Sequence, residues 1–304
     1  MSEYVFETTA LTKTYSSKNV VDKVSLKIRK GDVYGFIGEN GAGKTTTIKL
    51  AVGLIKATSG NMKLFDSDNL NNGRKKIGVV IENPAFYPYM SAKQNIEIQR
   101  IMKGISDTKI TDKILNIVGL SDTKSKPVKK FSLGMKQRLG IGLALVGNPE
   151  FLILDEPING LDPMGIKEVR DLIIKLNKEA GITVLISSHI LGELSKMCTA
   201  YGVISEGKLV SQVTREELNR FIGEHINLKV NNTEKTLEIL NSKFGISNVN
   251  VNDNTISIYD NVEYLSDLDK ALEEENITVQ SISKCEENYE DYFINLMKGE
   301  KTDD

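Results

Sequence analysis

The residues Gly38-Glu39-Asn40-Gly41-Ala42-Gly43-Lys44-Thr45-Thr46 carry the groups that phosphate chemistry needs, in a workable order. Gly38, Gly41 and Gly43 let the backbone turn tightly, so that successive N–H groups converge on one concavity lined by Asn40, Ala42 and Thr46. Lys44 is placed to reach the terminal phosphates of a nucleotide, and the Thr45 hydroxyl to ligate Mg²⁺. The apolar run Val33–Ile37 precedes this stretch and Thr47–Val52 follows it. That is a strand, a turn and a helix start, and the helix dipole adds its positive end to the attraction for an anion. The arrangement implies a nucleoside triphosphate site.

A second acidic centre narrows the chemistry. Phe151–Leu154 is a short apolar strand that ends in Asp155-Glu156. Asp155 is positioned to hold Mg²⁺ through water, and Glu156 to accept a proton from an attacking water. A β-branched strand, Thr183–Ile186, ends at Ser187-Ser188-His189, and Ile77–Ile81 ends at Glu82 before Pro84 and Pro88.

These residues need elements to position them. Tyr4–Thr9 and Val24–Ile28 read as strands, with Leu11–Lys18 between them as a polar turn carrying one aromatic, Tyr15. Turns are expected at Thr58–Asn61 and Asn69–Gly73. Ser91 with Gln94 forms a capping box that opens a helical stretch. Ser132 precedes a second long helix that stops at Gly147-Asn148-Pro149, and Ile166–Ala180 is a third. Alternating strands and helices of these lengths predict an α/β fold with a mainly parallel sheet. Past Val213 the order becomes βαββαβ, which suggests a small α+β unit of split-βαβ, ferredoxin-like type. The expected division is residues 1–213, with a helical subdomain at about 84–147, and an acidic accessory unit at 214–304.

Charge follows the same division. Residues 215–304 hold 9 Lys/Arg against 20 Asp/Glu, or −11, and the remainder holds 30 against 21, or +9, which sums to the net −2. An acidic tail opposes phosphate-backbone binding, so no nucleic acid partner is expected. Cys198 and Cys285 form neither a metal-ligand spacing nor a disulfide framework, which favours a reducing compartment. The amino terminus lacks the pattern of a signal peptide, and no apolar segment approaches the ~20 residues that span a bilayer. Work at a membrane would therefore need another chain for the crossing.

Phe131-Ser132-Leu133-Gly134-Met135-Lys136-Gln137-Arg138, then Phe151–Pro157, Asn159-Gly160-Leu161-Asp162 and His189, resemble the ordered motifs of an ABC-type ATPase cassette. The resemblance covers about residues 3 to 213. It is similar in detail to cassette subunits of bacterial bacitracin-type and lantibiotic-immunity exporters. It implies a P-loop ABC ATPase fold, a parallel sheet core plus a helical subdomain, using ATP and Mg²⁺. Tyr15 would stack on adenine, Thr45, Glu82 and Asp155 would serve the metal, and Glu156 would be the base with His189 beside it. Ser132 and Gly134 would act on ATP held by a second copy, so a head-to-tail dimer is implied, with Asn159–Asp162 crossing its interface.

The resemblance also implies a membrane-spanning permease as partner and a cytoplasmic, peripheral position on the inner face of the membrane. Phe86, Tyr87, Pro88 and Tyr89 would face that permease, or else fold onto their own helical subdomain. The cargo implied is an antimicrobial peptide or a similar amphiphile. Three positions depart from the general pattern: Leu133, Met135 and Glu82, which stands where glutamine is usual and can only accept hydrogen bonds when ionised. Two rival readings are a soluble cassette acting on ribosomes or DNA, and a nucleotide-binding switch with little hydrolysis. His225 reads as lone and solvated.

Overall fold

The computed structural model describes residues 3–82, 84–219, 222–259, 265–275, 277–287 and 289–298. The chain divides into two compact units, Met1–Gln212 and Val213–Asp304. In chain order the first contains β1 (Tyr4–Tyr15), β2 (Lys18–Val24), β3 (Lys27–Arg29), β4 (Val33–Ile37), α1 (Lys44–Val52), β5 (Ser59–Leu64), α2 (Leu70–Arg74) and β6 (Ile77–Val80). It continues with α3 (Ala92–Met102), α4 (Lys109–Ile117), α5 (Leu133–Leu145), β7 (Phe151–Asp155), α6 (Pro163–Ala180), β8 (Thr183–Ser188), α7 (Leu191–Leu194), β9 (Ala200–Ser205) and most of β10 (Lys208–Thr214), whose last two residues fall past the boundary.

A six-stranded sheet in the order β10-β9-β4-β8-β7-β6 forms the centre of this unit. The pairs β9–β4, β4–β8, β8–β7 and β7–β6 are all parallel. Strands covered on both faces need apolar residues at every position, and β4, β7 and β8 are buried throughout. α1 packs Ile48, Leu50 and Ala51 into a core shared with Phe36, Phe151 and Leu185. A second, antiparallel sheet places β2, β3 and β5 against β1.

The helical segment follows β6. Ser91 and Gln94 cap α3 reciprocally, as their spacing predicts. Glu97 ties α3 to α4, accepting hydrogen bonds from Arg100 (2.6 and 3.0 Å) and from Thr111 Oγ1 (2.9 Å). Arg100 first, and Thr111 second, hold the Glu97 carboxyl down to about 2. Ser132 caps α5 through the Met135 N–H, and Asp162 caps α6 through the Gly165 N–H.

The second unit contains α8 (Arg215–Leu218), β11 (Gly223–Val230), α9 (Thr233–Phe244), β12 (Val249–Asn252), β13 (Thr255–Ile258), α10 (Leu265–Glu274), β14 (Val279–Glu287) and α11 (Tyr289–Lys298). Its sheet has the order β12-β13-β11-β14 with every neighbouring pair antiparallel. From β11 onward that is the strand order of a split-βαβ unit. Leu228, Val230, Ile256 and Ile258 of the sheet bury against Ile239 and Leu240 of α9 and Leu268 and Leu272 of α10.

Several local readings change. Leu11–Tyr15 is strand and not a polar turn, because Leu11 is fully buried and Thr12 and Thr14 join the pairing of β1. Ser59–Asn61 opens β5 and does not turn the chain. The strand expected over Val24–Ile28 is broken, with β2 ending at Val24 and β3 starting at Lys27. α6 begins at Pro163, since Asp162 supplies the cap and proline suits the first helical turn. His225 is buried, not solvated, and its ring lies 4.9 Å from that of Tyr259. The Cys285 side chain and Asn83 lie outside the described residues.

Candidate active site

Three adjacent strands deliver the polar residues to one end of the parallel sheet. β4 ends at Ile37, whose partner in β8 is Ser188, and Asp155 of β7 is the partner of Ser187. The glycine-rich loop leaves β4, Glu156 leaves β7 and His189 leaves β8, so one register brings all three together. This is the carboxyl edge where parallel α/β sheets bind ligands.

The loop is shaped for close backbone packing. A Cβ at Gly38 would lie 2.3 Å from the Ile204 carbonyl oxygen, and one at Gly43 would lie 2.6 Å from that of Val20. Gly43 also holds φ at +108° as the N-cap of α1, with no side chain bonding the first turn. The N–H groups of Lys44, Thr45 and Thr46 therefore stand at an uncapped helix start. Lys44 is buried, donates to the carbonyls of Gly38 (2.6 Å) and Glu39 (3.1 Å), and sits 3.4 Å from Glu156 Oε1.

Thr45 Oγ1 donates to Asp155 Oδ2 at 2.8 Å. A hydroxyl and a carboxylate side by side are hard oxygen donors of the kind Mg²⁺ takes. The described residues contain no cluster of three or more His, Cys, Asp or Glu able to hold a metal. A cation at this pair would thus need phosphate or water oxygens to complete its shell, which suits Mg²⁺ and a nucleotide.

Glu156 has a left-handed backbone, φ +49°, which is uncommon for a residue with a side chain. Its N–H is held by both the backbone carbonyl (3.1 Å) and the hydroxyl (3.0 Å) of Ser187. The same hydroxyl donates to Asp155 Oδ1 at 2.5 Å. Ser187, fully buried, therefore joins the Asp155 carboxylate to the neighbouring glutamate. Glu156 Oε2 lies 3.0 Å from His189 Nδ1, while Oε1 is buried with no hydrogen-bond partner. Ser187 is the residue that motif reading passes over; its signal was its place beside Asp155 across two adjacent parallel strands.

The other predicted residues stand apart from this cluster. Glu82, at φ +54° and largely exposed, pairs with Lys49 of α1 at 3.0 Å. Ser132 is exposed and its hydroxyl accepts from Met135; among the described residues nothing bonds it to the glycine-rich loop. Gly134 is buried where a Cβ would lie 3.4 Å from Gly165 Cα. Tyr15 is half-exposed under Lys13, and its β2 register partner Lys18 lines a cavity of about 400 Å³ together with Asn40, Gly41 and Ala42. A larger cavity of about 910 Å³ lies away from the acids, between β6, α3 and α5, with Val79, Ile81, Pro84 and Leu143 in its lining.

The sequence profile described as ABC transporter matches residues 21–159. The chain is 42% identical over 299 residues to a bacitracin transport ATP-binding protein of Bacillus licheniformis, covering 97% of this chain and 98% of that one. It is 44% identical over 200 residues to a lantibiotic transport ATP-binding protein of Streptococcus pyogenes, covering 66% of this chain and 86% of that one. Among solved structures, an ATP-binding cassette in a dimeric post-hydrolysis state with ADP and phosphate is 25% identical, with a TM-score of 0.62 over 69% of this chain and 98% of that one. A component of an ABC transporter complex from Clostridium perfringens is 26% identical, with a TM-score of 0.65 over 80% of this chain and 96% of that one.

Proposed function

Because the chain belongs to the family of ABC transporter ATP-binding subunits, we propose that it powers a membrane exporter of antimicrobial peptides or similar amphiphiles. It is a P-loop ATPase coupled to transport. The observation that carries the assignment of its base is Glu156, whose one oxygen faces His189 while the other is buried, accepts no hydrogen bond and lies 3.4 Å from the Lys44 ammonium. A general base needs a free acceptor aimed at the reacting water and a partner that fixes its orientation.

In this reading the N–H groups at the start of α1 and the Lys44 ammonium bind the ATP phosphates. Thr45 and Asp155 would hold Mg²⁺, which supplies neutralisation of the phosphate charge. Glu156 takes the proton of the water that attacks the γ-phosphate, and His189 steadies Glu156 and contacts that phosphate. Tyr15 stacks on the adenine. Glu82 serves the metal side of the site once ATP is bound, and Lys49 balances its added negative charge.

Ser132 and Gly134 of a second copy close over the nucleotide, so that two chains enclose two ATP molecules head to tail. The exposed Ser132 beside an accessible α5 start supports that role. The permease docks at the cavity between β6, α3 and α5 and at the neighbouring loop, where Tyr87 is 53% and Tyr89 78% exposed. In this reading the chain sits on the inner face of the membrane. The test of the base is Glu156→Gln: steady-state hydrolysis should fall by at least ~100-fold while ATP binding survives. Near-normal turnover in that variant removes Glu156 from the mechanism.

A further inference from the structure

The segment from Asp122 to Lys136 holds five lysines, Lys124, Lys126, Lys129, Lys130 and Lys136, against the single acid Asp122. Two buried side chains, Val128 and Phe131, pin it to the body of the unit and leave Lys124, Lys126, Lys129 and Lys130 exposed. The Val128 N–H donates to the Met90 carbonyl (2.9 Å) and the Lys129 N–H to that of Pro88 (2.8 Å). These bonds set the lysines beside the exposed Tyr87 and Tyr89, with Lys129 Nζ 4.3 Å from the centre of the Tyr89 ring.

Nearby acids are already engaged: Asp112 with Lys93, Glu97 with Arg100 and Glu168 with Arg138. Among the described residues none of the five lysines has an acidic partner within ion-pair distance. A fixed acidic protein partner favours arginine forks in a pocket. This surface instead offers flexible point charges on an exposed strip, flanked by tyrosines with a polar tip. That composition fits a headgroup layer, where tyrosine and lysine are favoured and anionic lipids attract basic segments.

We propose that Lys124, Lys126, Lys129 and Lys130, beside the permease-facing Tyr87 and Tyr89, rest directly on anionic lipid headgroups of the bilayer that holds the permease. The contact adds a lipid partner to the protein one and rests on the reading of the chain as a membrane-peripheral subunit. Its test needs neither ATP nor a permease, so failure here leaves the ATPase assignment standing.

The full chain is floated with vesicles of phosphatidylcholine alone, or with about one third phosphatidylglycerol, at low and high salt. Binding to the anionic vesicles only, lost at high salt, is expected. Each of Lys126→Gln, Lys129→Gln and Lys130→Gln should weaken it about fivefold, and the triple variant about a hundredfold. A matched set on α6, Lys167→Gln, Lys175→Gln and Lys178→Gln, should float as the unaltered chain does. An unchanged thermal midpoint checks that the triple variant is folded, and the single variants carry the reading if it is not. Equal binding to both vesicles, or a triple variant that floats like the unaltered chain, overturns the proposal. Failure to float with either permease-free vesicle overturns it as well.

Discussion

Ser187 sets the geometry around the two acids, and its value follows from what its hydroxyl does. One hydroxyl donates to Asp155 and accepts from the Glu156 N–H, at a residue whose left-handed backbone needs support from its surroundings. Ser187→Ala removes both bonds without adding bulk. We expect kcat to fall by roughly tenfold or more, with the KM for ATP little changed and a higher Mg²⁺ requirement; steady-state kinetics across Mg²⁺ concentrations measure all three. Ser187→Thr, which keeps the hydroxyl, should restore most of the rate. A loss of stability with unaltered kinetics would make Ser187 purely structural. Glu82 is a second case. Glu82→Gln frees Lys49 from its 3.0 Å ion pair while leaving the main cluster intact. ATPase activity should remain measurable while peptide export in cells changes, and unaltered behaviour in both assays would count against a coupling role.

At the scale of elements, the parallel strands were legible because burial on both faces forces uninterrupted apolar runs, and each run ends where a polar residue begins. Asp155, His189 and the glycine-rich loop could therefore be placed at strand ends from residue order alone. The second half of β1 was not, because period-two alternation fails there: Ala10 takes a left-handed φ of +49°, and the pairing register with β2 and β5 shifts nearby. His225 was misread because its cover, Tyr259, lies far along the chain and meets it only through sheet pairing. The α3–α4 tie makes its own prediction. The folded Glu97 carboxyl is held down to about 2, below its unfolded value of about 4.3, so its contribution is present above the unfolded value. It fades as pH falls through that window toward 2. Glu97→Gln should lower the urea midpoint at neutral pH, and the difference from the unaltered chain should shrink on acidification. A difference that does not change with pH would mean the tie is not electrostatic.

At the scale of the molecule, every residue proposed for nucleotide chemistry lies within Met1–Gln212, and the acidic Val213–Asp304 unit contributes none. A chain ending at residue 212 should accordingly bind a fluorescent ATP analogue about as tightly as the full chain, by titration. A large loss of affinity would give the second unit a part in the site. The split-βαβ order of that unit was legible in the succession of its strands and helices, but its role was not, since its described residues present no cluster of chemical groups like that around Glu156. The central claim concerns two chains together: the pocket built by β4, β7 and β8 is completed by Ser132 and Gly134 of another copy. The most direct test is the mass of the Glu156→Gln chain by light scattering, with and without Mg-ATP. A shift from one chain to two on adding Mg-ATP, with one ATP retained per chain and the shift abolished by Ser132→Arg, is the predicted result. A chain that stays monomeric at saturating Mg-ATP, or a dimer indifferent to Ser132, would contradict it.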